Sequence, residues 1–300
     1  MNGKISNFVQ VCSLRRYTLT EGSEKGLDIL DCDNGKIRFL LNVSKALDIA
    51  QLWHEGQNMS FLSKNGLTGR EIPFLNRFEG GMLYTCGLDS VGSREGFELH
   101  GSHHNTPARV IKAECNEEGI TVEAEISATA LFGKNLLFKR KVFTAVGSGE
   151  VQITDTLENR GYIEENYCLL YHVNVGYPML DAGAKIVANV KNATARTPWA
   201  KENECSMYEM NDAKPCQEET CYFLDMTTPT VSLINEKIGK MFTLSWSNDM
   251  LPHFVEWKSM ASGDYALGLE PCTTKLDDYF TYNSIKAGEK KVFSLSIQIQ

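Results

Sequence analysis

The sequence has 300 residues, of which 42% are hydrophobic and 23% charged, so it can bury a sizeable core. Its 30 Lys and Arg against 38 Asp and Glu give a formal net charge of -8, which argues against nucleic acid as a partner and, less strongly, against phosphorylated sugars. No segment is apolar over a membrane-spanning length, and the nine cysteines lack the close, repeated spacing of a zinc site or disulfide framework.

The first twenty residues contain no apolar stretch long enough for a signal peptide. The sequence therefore predicts a cytoplasmic protein whose thiols are reduced.

Period-two alternation of apolar and polar residues recurs along the chain and predicts an all-β protein. Taken in chain order, the first turn signal is Asn34-Gly35, and the stretch from Val43 to Leu52 is a candidate short helix or irregular segment. Residues 120–126 alternate as a half-buried strand, between turn signals at 118–119 and 147–149. Lys201 to Asp212 is a second candidate helix or irregular region, and residues 293–299 alternate again as a strand.

The domain organisation is predicted from what the chain lacks. It contains no linker, low-complexity tract, convincing internal repeat or shift in composition. The sequence therefore predicts a single domain over residues 1–300, with two large antiparallel sheets packed face to face or a distorted barrel.

Histidines cluster in two places. His100, His103 and His104 lie within five residues, and His172 lies in a Tyr-His-Val-Asn segment. Adjacent strand positions face opposite sides, so at most one of His103 and His104 can line a given pocket. A structural histidine in the core is the alternative, and a metal site built from His100, His103 and His172 is a minority interpretation.

Two further segments carry charge beside unusual backbone or apolar surroundings. Arg77 precedes the paired glycines Gly80-Gly81, which indicate a close approach of the backbone, although a surface ion pair would also account for the arginine. Glu270 ends the apolar run Tyr265 to Leu269. A carboxylate there is either part of a buried ion pair or has a raised pKa, and a raised pKa suits a general base.

The order of these segments resembles the aldose 1-epimerase (galactose mutarotase) superfamily, and more closely its poorly characterised mutarotase-like branch. The resemblance covers the chain from about residue 25 onward and rests on five motifs in register, which are listed here: 47–58, Arg77-Phe78-x-Gly80-Gly81 with Thr85-Cys86-Gly87-Leu88, Leu99-His100-Gly101, Tyr171-His172-x-Asn174-x-Gly176-Tyr177-Pro178, and Gly268-Leu269-Glu270-Pro271. Thr273 and Lys45 depart from the branch, where asparagine and arginine are common.

The resemblance implies a large antiparallel β-sandwich with a sugar-binding groove. His172 would be the general acid and Glu270 the general base of a cofactor-independent, metal-independent ring opening and closure. His100 and Arg77 would position sugar hydroxyls, with Asn174 and Tyr171 nearby.

Trp257 is a candidate platform for the sugar ring because it precedes the Glu270 strand, and His103 is a further candidate for substrate binding. The predicted activity is interconversion of anomers or epimers of an unphosphorylated sugar. The alternatives are a carbohydrate-binding protein that lacks turnover, or a metal-assisted isomerisation that uses the histidine cluster.

Overall fold

Strands dominate the computed structural model of the protein, which describes residues 3–277 and 279–300. Their bounds in chain order are β1 Ser13–Thr18, β2 Asp28–Asp33, β3 Ile37–Asn42, β4 Asp48–His54, β5 Gln57–Asn58, β6 Tyr84–Leu88, β7 Arg109–Cys115, β8 Gly119–Thr129, β9 Asn135–Ala145, β10 Glu150–Asn159, β11 Glu165–Val175, β12 Lys185–Ala195, β13 Thr220–Asn235, β14 Lys240–Trp246, β15 His253–Ala261, β16 Asp264–Cys272, β17 Asn283–Ile285 and β18 Lys290–Ile299. The all-β class predicted from the alternation is confirmed.

Helices are short. They are α1 Phe74–Arg77, α2 Pro198–Glu202 and 3-10 turns at Phe8–Gln10, Gly22–Glu24, His103–Asn105 and Glu204–Ser206. In the described ranges, no helix has the length and apolar character needed to cross a bilayer. Residues 43–47 form an irregular turn, as one of the two alternatives for 43–52 predicts, but the prediction is wrong for residues 48–52, since β4 begins at Asp48 and is buried on both faces. Such a run has little alternation, and periodicity cannot separate a buried strand from a helix there.

The described strands form two antiparallel sheets. The small sheet has five strands in the order β1-β2-β3-β4-β5, and the large sheet has 13, most of them in the order β17-β11-β16-β15-β13-β14-β18-β10-β9-β8-β7. Off this path, β12 pairs with β13 and β6 pairs with β11. Apolar side chains of both sheets meet in one continuous main core, which gives the predicted sandwich its interior.

The alternation in β8 and β18 places apolar residues in this main core. Ile120, Val122 and Ile126 are buried from β8, and Phe293 and Ile297 are buried from β18. The predicted turns at 34–35, 118–119 and 147–149 each join two paired neighbours, so three hairpins are confirmed.

A network of charged side chains lies inside the main core. Arg140 is bonded to Asp48 of the small sheet and to Asp155 of β10, with an Nη2 to Oδ2 distance of 2.7 Å for the second contact. The Tyr171 hydroxyl donates to Asp155 over 2.8 Å, and Asp48 also lies 2.6 Å from Nδ1 of His104. All five residues are at most 2% exposed, so this ionic network joins the two sheets without access to water.

Candidate functional site

Three neighbouring strands of the large sheet present a row of side chains to the face opposite the main core. Asn174 of β11 pairs with Gly268 of β16, which pairs with Trp257 of β15. Residues two apart on a strand share a face, so His172 and Glu270 stand on this same side. We call it the site face, defined by His172, Trp257 and Glu270.

His172 and Glu270 are in direct contact on the site face. Nε2 of His172 lies 3.1 Å from Oε1 of Glu270, and their side chains are only 7% and 4% exposed. The two residues are nearly a hundred positions apart in the chain, and the antiparallel pairing of β11 with β16 brings them together. The two atoms are close but not aligned for a hydrogen bond, since Oε1 of Glu270 is buried and has no hydrogen-bond partner among the described residues. An acid and a base therefore lie side by side.

Burial shifts both groups away from their ordinary titration range. It raises the pKa of the Glu270 carboxyl to about 8, with the Arg196 guanidinium opposing that rise. It lowers the pKa of the His172 imidazole to about 3, and His100 acts in the same direction. Near neutral pH the pair therefore holds one proton, which can sit on the carboxyl group or on Nε2.

Because Gly268 has no side chain, it provides the space in which His172 and Glu270 meet. A Cβ atom at that position would lie 2.6 Å from Oε1 of Glu270, 2.9 Å from Cε1 of His172 and 3.2 Å from Cε3 of Trp257. All three side chains would have to move. Glycine is therefore required here by contact with the site and not by backbone conformation.

Gly268→Ala is expected to reduce the activity proposed below on the order of 100-fold, because the added methyl group displaces the carboxylate from its partner. The unfolding temperature should also fall, since the added Cβ clashes with the rings of His172 and Trp257 as well as with the carboxyl group. Anomer-exchange rates and thermal unfolding, measured together, check both expectations. Full activity in this variant would show that the spacing of the pair is not critical.

Trp257 is held in place by two residues that sequence reasoning missed. Its Nε1 donates to Oε2 of Glu219 over 2.7 Å, and Nη2 of Arg196 donates to Oε1 of the same carboxylate over 2.6 Å. The Glu219 and Arg196 side chains are 44% and 46% exposed, so this ion pair lies at the solvent-exposed margin of the site face. Neither residue stands in a motif, and we find no local signal in the sequence that marks them.

Aromatic rings surround the two histidines. The His100 ring is edge-on to His172 with centroids 5.5 Å apart, and Phe78 lies 5.7 Å from His172. Phe74 of α1 stacks on Phe78 and contacts His100 at 5.4 Å. Burial lowers the pKa of His100 to about 4. The two phenylalanines were missed, although Phe78 adjoins Arg77 in the segment that the sequence singles out.

Arg77 lies at the end of α1 beside this aromatic group. Its guanidinium donates to Glu98, and its side chain is only 9% exposed. The backbone after it turns sharply, with φ values of 76° at Gly80 and 83° at Gly81. A Cβ at Gly80 would lie 2.6 Å from the carbonyl oxygen of Phe61, so the predicted close approach of the backbone is present.

The remaining predicted binding residues differ in their placement. Asn174 is on the site face, where its Nδ2 donates to the carbonyl of His172 over 3.0 Å and its buried Oδ1 has no partner among the described residues. The structure does not bring Tyr171 there, because as the neighbour of His172 it faces the main core. His103 is also remote, since its buried ring packs on Phe138 with centroids 4.5 Å apart.

The histidine cluster does not converge on one point. His100 meets His172, whereas His103 packs in the main core and His104 bonds to Asp48. In the part of the chain that the structure describes, no group of three His, Cys, Asp or Glu residues is arranged to hold a metal ion.

Comparison with solved structures defines the class of fold. A candidate aldose 1-epimerase from Klebsiella pneumoniae superposes with a TM-score of 0.88 at 18% identity, over 98% of this chain and 86% of the other. A galactose mutarotase-like protein from Clostridium acetobutylicum gives 0.70 at 13% identity, over 97% and 99% of the two chains. A candidate mutarotase from Salmonella typhimurium gives 0.70 at 12% identity, over 98% and 95%.

The protein thus shares the all-β sandwich fold of these solved structures, which is the fold that the motif order predicts. It belongs to the family described as a domain of unknown function (DUF4432), whose model matches residues 24–299. Comparison of the sequence with curated proteins finds no match.

Proposed function

We propose that this protein interconverts the anomers of an unphosphorylated sugar by acid and base catalysis at His172 and Glu270. The observation that carries the proposal is the 3.1 Å contact between Nε2 of His172 and Oε1 of Glu270, in a pair that is almost fully buried. The solved structures of similar fold, described as candidate aldose epimerases and mutarotases, point to the same chemistry.

The proposed reaction needs two proton transfers at neighbouring oxygens of the sugar. Glu270 removes the proton of the anomeric hydroxyl while His172, protonated on Nε2, delivers one to the ring oxygen. The ring bond breaks, the carbonyl carbon rotates, and the reverse transfers close the ring on the other face. The one proton held by the pair is sufficient, because each cycle returns it, and no cofactor or metal takes part.

The surrounding residues suit a neutral polyhydroxylated ligand. In this proposal Trp257 offers an apolar ring to the C–H face of the sugar, and Asn174, His100 and Arg77 bind its hydroxyls. All nine cysteines are unpaired thiols, which fits the cytoplasmic location that we propose. We propose that residues 1–300 act as one domain.

Exchange spectroscopy by NMR tests the activity directly. Purified protein is added to a panel of free aldoses, and magnetisation transfer between the α and β anomers is measured against the uncatalysed rate. We expect acceleration for at least one sugar. Binding of a sugar without faster exchange would favour the alternative, a carbohydrate-binding protein, and would overturn the catalytic proposal.

The pH dependence follows from the shifted pKa values. The one-proton state of the pair exists between the lowered pKa of His172, about 3, and the raised pKa of Glu270, about 8. The catalysed rate is therefore expected to be level in weakly acidic and neutral solution and to fall as pH rises through about 8. A rate that instead increases through that range would show that the fully deprotonated pair is the active form.

A further inference from the structure

Two cysteine thiols face one another where an edge of the small sheet meets an edge of the large one. Sγ of Cys115 lies 3.2 Å from Sγ of Cys12, which is shorter than the van der Waals separation of two sulfur atoms. Cys12 immediately precedes β1, and Cys115 is the last residue of β7. Both β1 and β7 are edge strands, so a covalent bond between the two cysteines would join the two sheets at their edges.

The two thiols differ in access. Cys12 is 2% exposed, whereas Cys115 is partly exposed. The backbone beside Cys12 is fixed, because its N–H donates to the carbonyl of Phe8 over 3.0 Å and the turn at Gly35 packs closely on Val11. An oxidant can therefore reach Cys115 first, with Cys12 already positioned behind it.

We infer that Cys12 and Cys115 form a reversible oxidation site that hydrogen peroxide converts into a disulfide linking the two sheets. This inference is independent of the proposed sugar chemistry. A disulfide needs sulfur atoms about 2.05 Å apart, so a shift of about 1 Å closes the gap. No residue of the site face takes part in this oxidation.

The steps balance with peroxide as the only oxidant. The Cys115 thiolate attacks the O–O bond, which breaks to give a sulfenic acid and hydroxide. The Cys12 sulfur then attacks the sulfenic sulfur, the S–O bond breaks, and water leaves with the Cys12 proton. Two thiols lose two electrons, and peroxide is reduced to two molecules of water.

Charge and burial indicate that Cys115 is the thiol that reacts first with peroxide. Burial and the neighbouring thiol raise the pKa of Cys12 to about 12, and Asp33 contributes in the same direction. Cys32 is fully buried close to both and its pKa is likewise raised by burial. Neither Cys12 nor Cys32 is therefore a good first nucleophile, since the thiolate is the reactive form.

The test treats the full-length folded protein with hydrogen peroxide, blocks remaining thiols in denaturant, and maps peptides by mass. We expect a linked Cys12–Cys115 peptide, a rise in unfolding temperature on the order of 5 °C, and reversal of both by dithiothreitol. The loop closed spans 103 residues, so the link restrains much of the unfolded chain.

Matched variants separate this site from other thiols. Cys115→Ser and Cys12→Ser should each abolish the shift, while Cys205→Ser and Cys216→Ser, at exposed positions, should leave it unchanged. Cys32→Ala should also leave the linked peptide in place. Over-oxidation of Cys115 with Cys12 still free, or a link between Cys115 and Cys32 instead, would overturn the inference.

Discussion

Replacing Glu270 with Gln is expected to slow anomer exchange by about 10²–10⁴-fold while sugar affinity stays within a few-fold of the original. Gln has the shape of the protonated carboxyl group but cannot accept a proton from the anomeric hydroxyl. At about pH 6 the wild-type carboxyl is itself protonated in the free protein, since burial raises its pKa to about 8. The variant should therefore fold normally. Exchange spectroscopy and ligand titration measure the two quantities separately.

Stability provides the control for this variant. The folded protein keeps a proton on Glu270 between its ordinary pKa of 4.5 and the raised value of about 8, so wild-type stability falls as pH rises through that window. Glu270→Gln should lack this loss and be the more stable protein in alkaline solution. His172→Ala should lose exchange to a similar extent. Unchanged exchange rates in Glu270→Gln would remove the carboxylate from the mechanism.

Arg140→Met is expected to destabilise the protein by about 3–5 kcal/mol, or about 10 °C in unfolding temperature. The substitution keeps the apolar part of the side chain and removes the only cation bonded to both Asp48 and Asp155 among the described residues. Asp155 would then be buried without a counter-charge, and Asp48 would keep only its contact with His104. Chemical denaturation at neutral pH measures the loss.

Arg109→Met is the matched control for Arg140→Met. Arg109 belongs to the same sheet and forms an ion pair with Glu125 at 2.6 Å, but its side chain is 76% exposed. Removing an exposed pair should cost less than about 1 kcal/mol. If the two variants were equally stable, the buried Arg140 network would not contribute the predicted free energy of unfolding. Adding Asp155→Asn to Arg140→Met should recover part of the stability.

The motifs singled out His172 and Glu270, and the structure brings these two residues together. Both residues lie on strands that are buried along most of their length, so neither strand shows an alternating pattern and the shared face follows only once the pairing of β11 with β16 is known. The alternating direction of side chains along a strand also explains why Tyr171 does not lie on the site face. As the neighbour of His172 it must point to the opposite side, into the main core. Motif order supplied the fold class, which no single segment contained.

The site residues that the sequence did not reveal depend on tertiary contacts. Arg196 directly follows β12 and Glu219 directly precedes β13, in ordinary polar segments, and their contacts depend on where Trp257 falls across the sheet. The error at residues 48–52 also comes from tertiary burial. Burial of β4 on both faces removes the alternation that would have identified it as a strand.

Paired charges around the site face have a consequence for how a ligand arrives. Arg77 is neutralised by Glu98 and Arg196 by Glu219, and the buried histidine and carboxyl carry no net charge together. A neutral sugar feels no net force from the charge of the protein, and with the charges around the site face paired its capture should be almost independent of ionic strength. Diffusion and shape, without electrostatic steering, would then govern the rate of encounter.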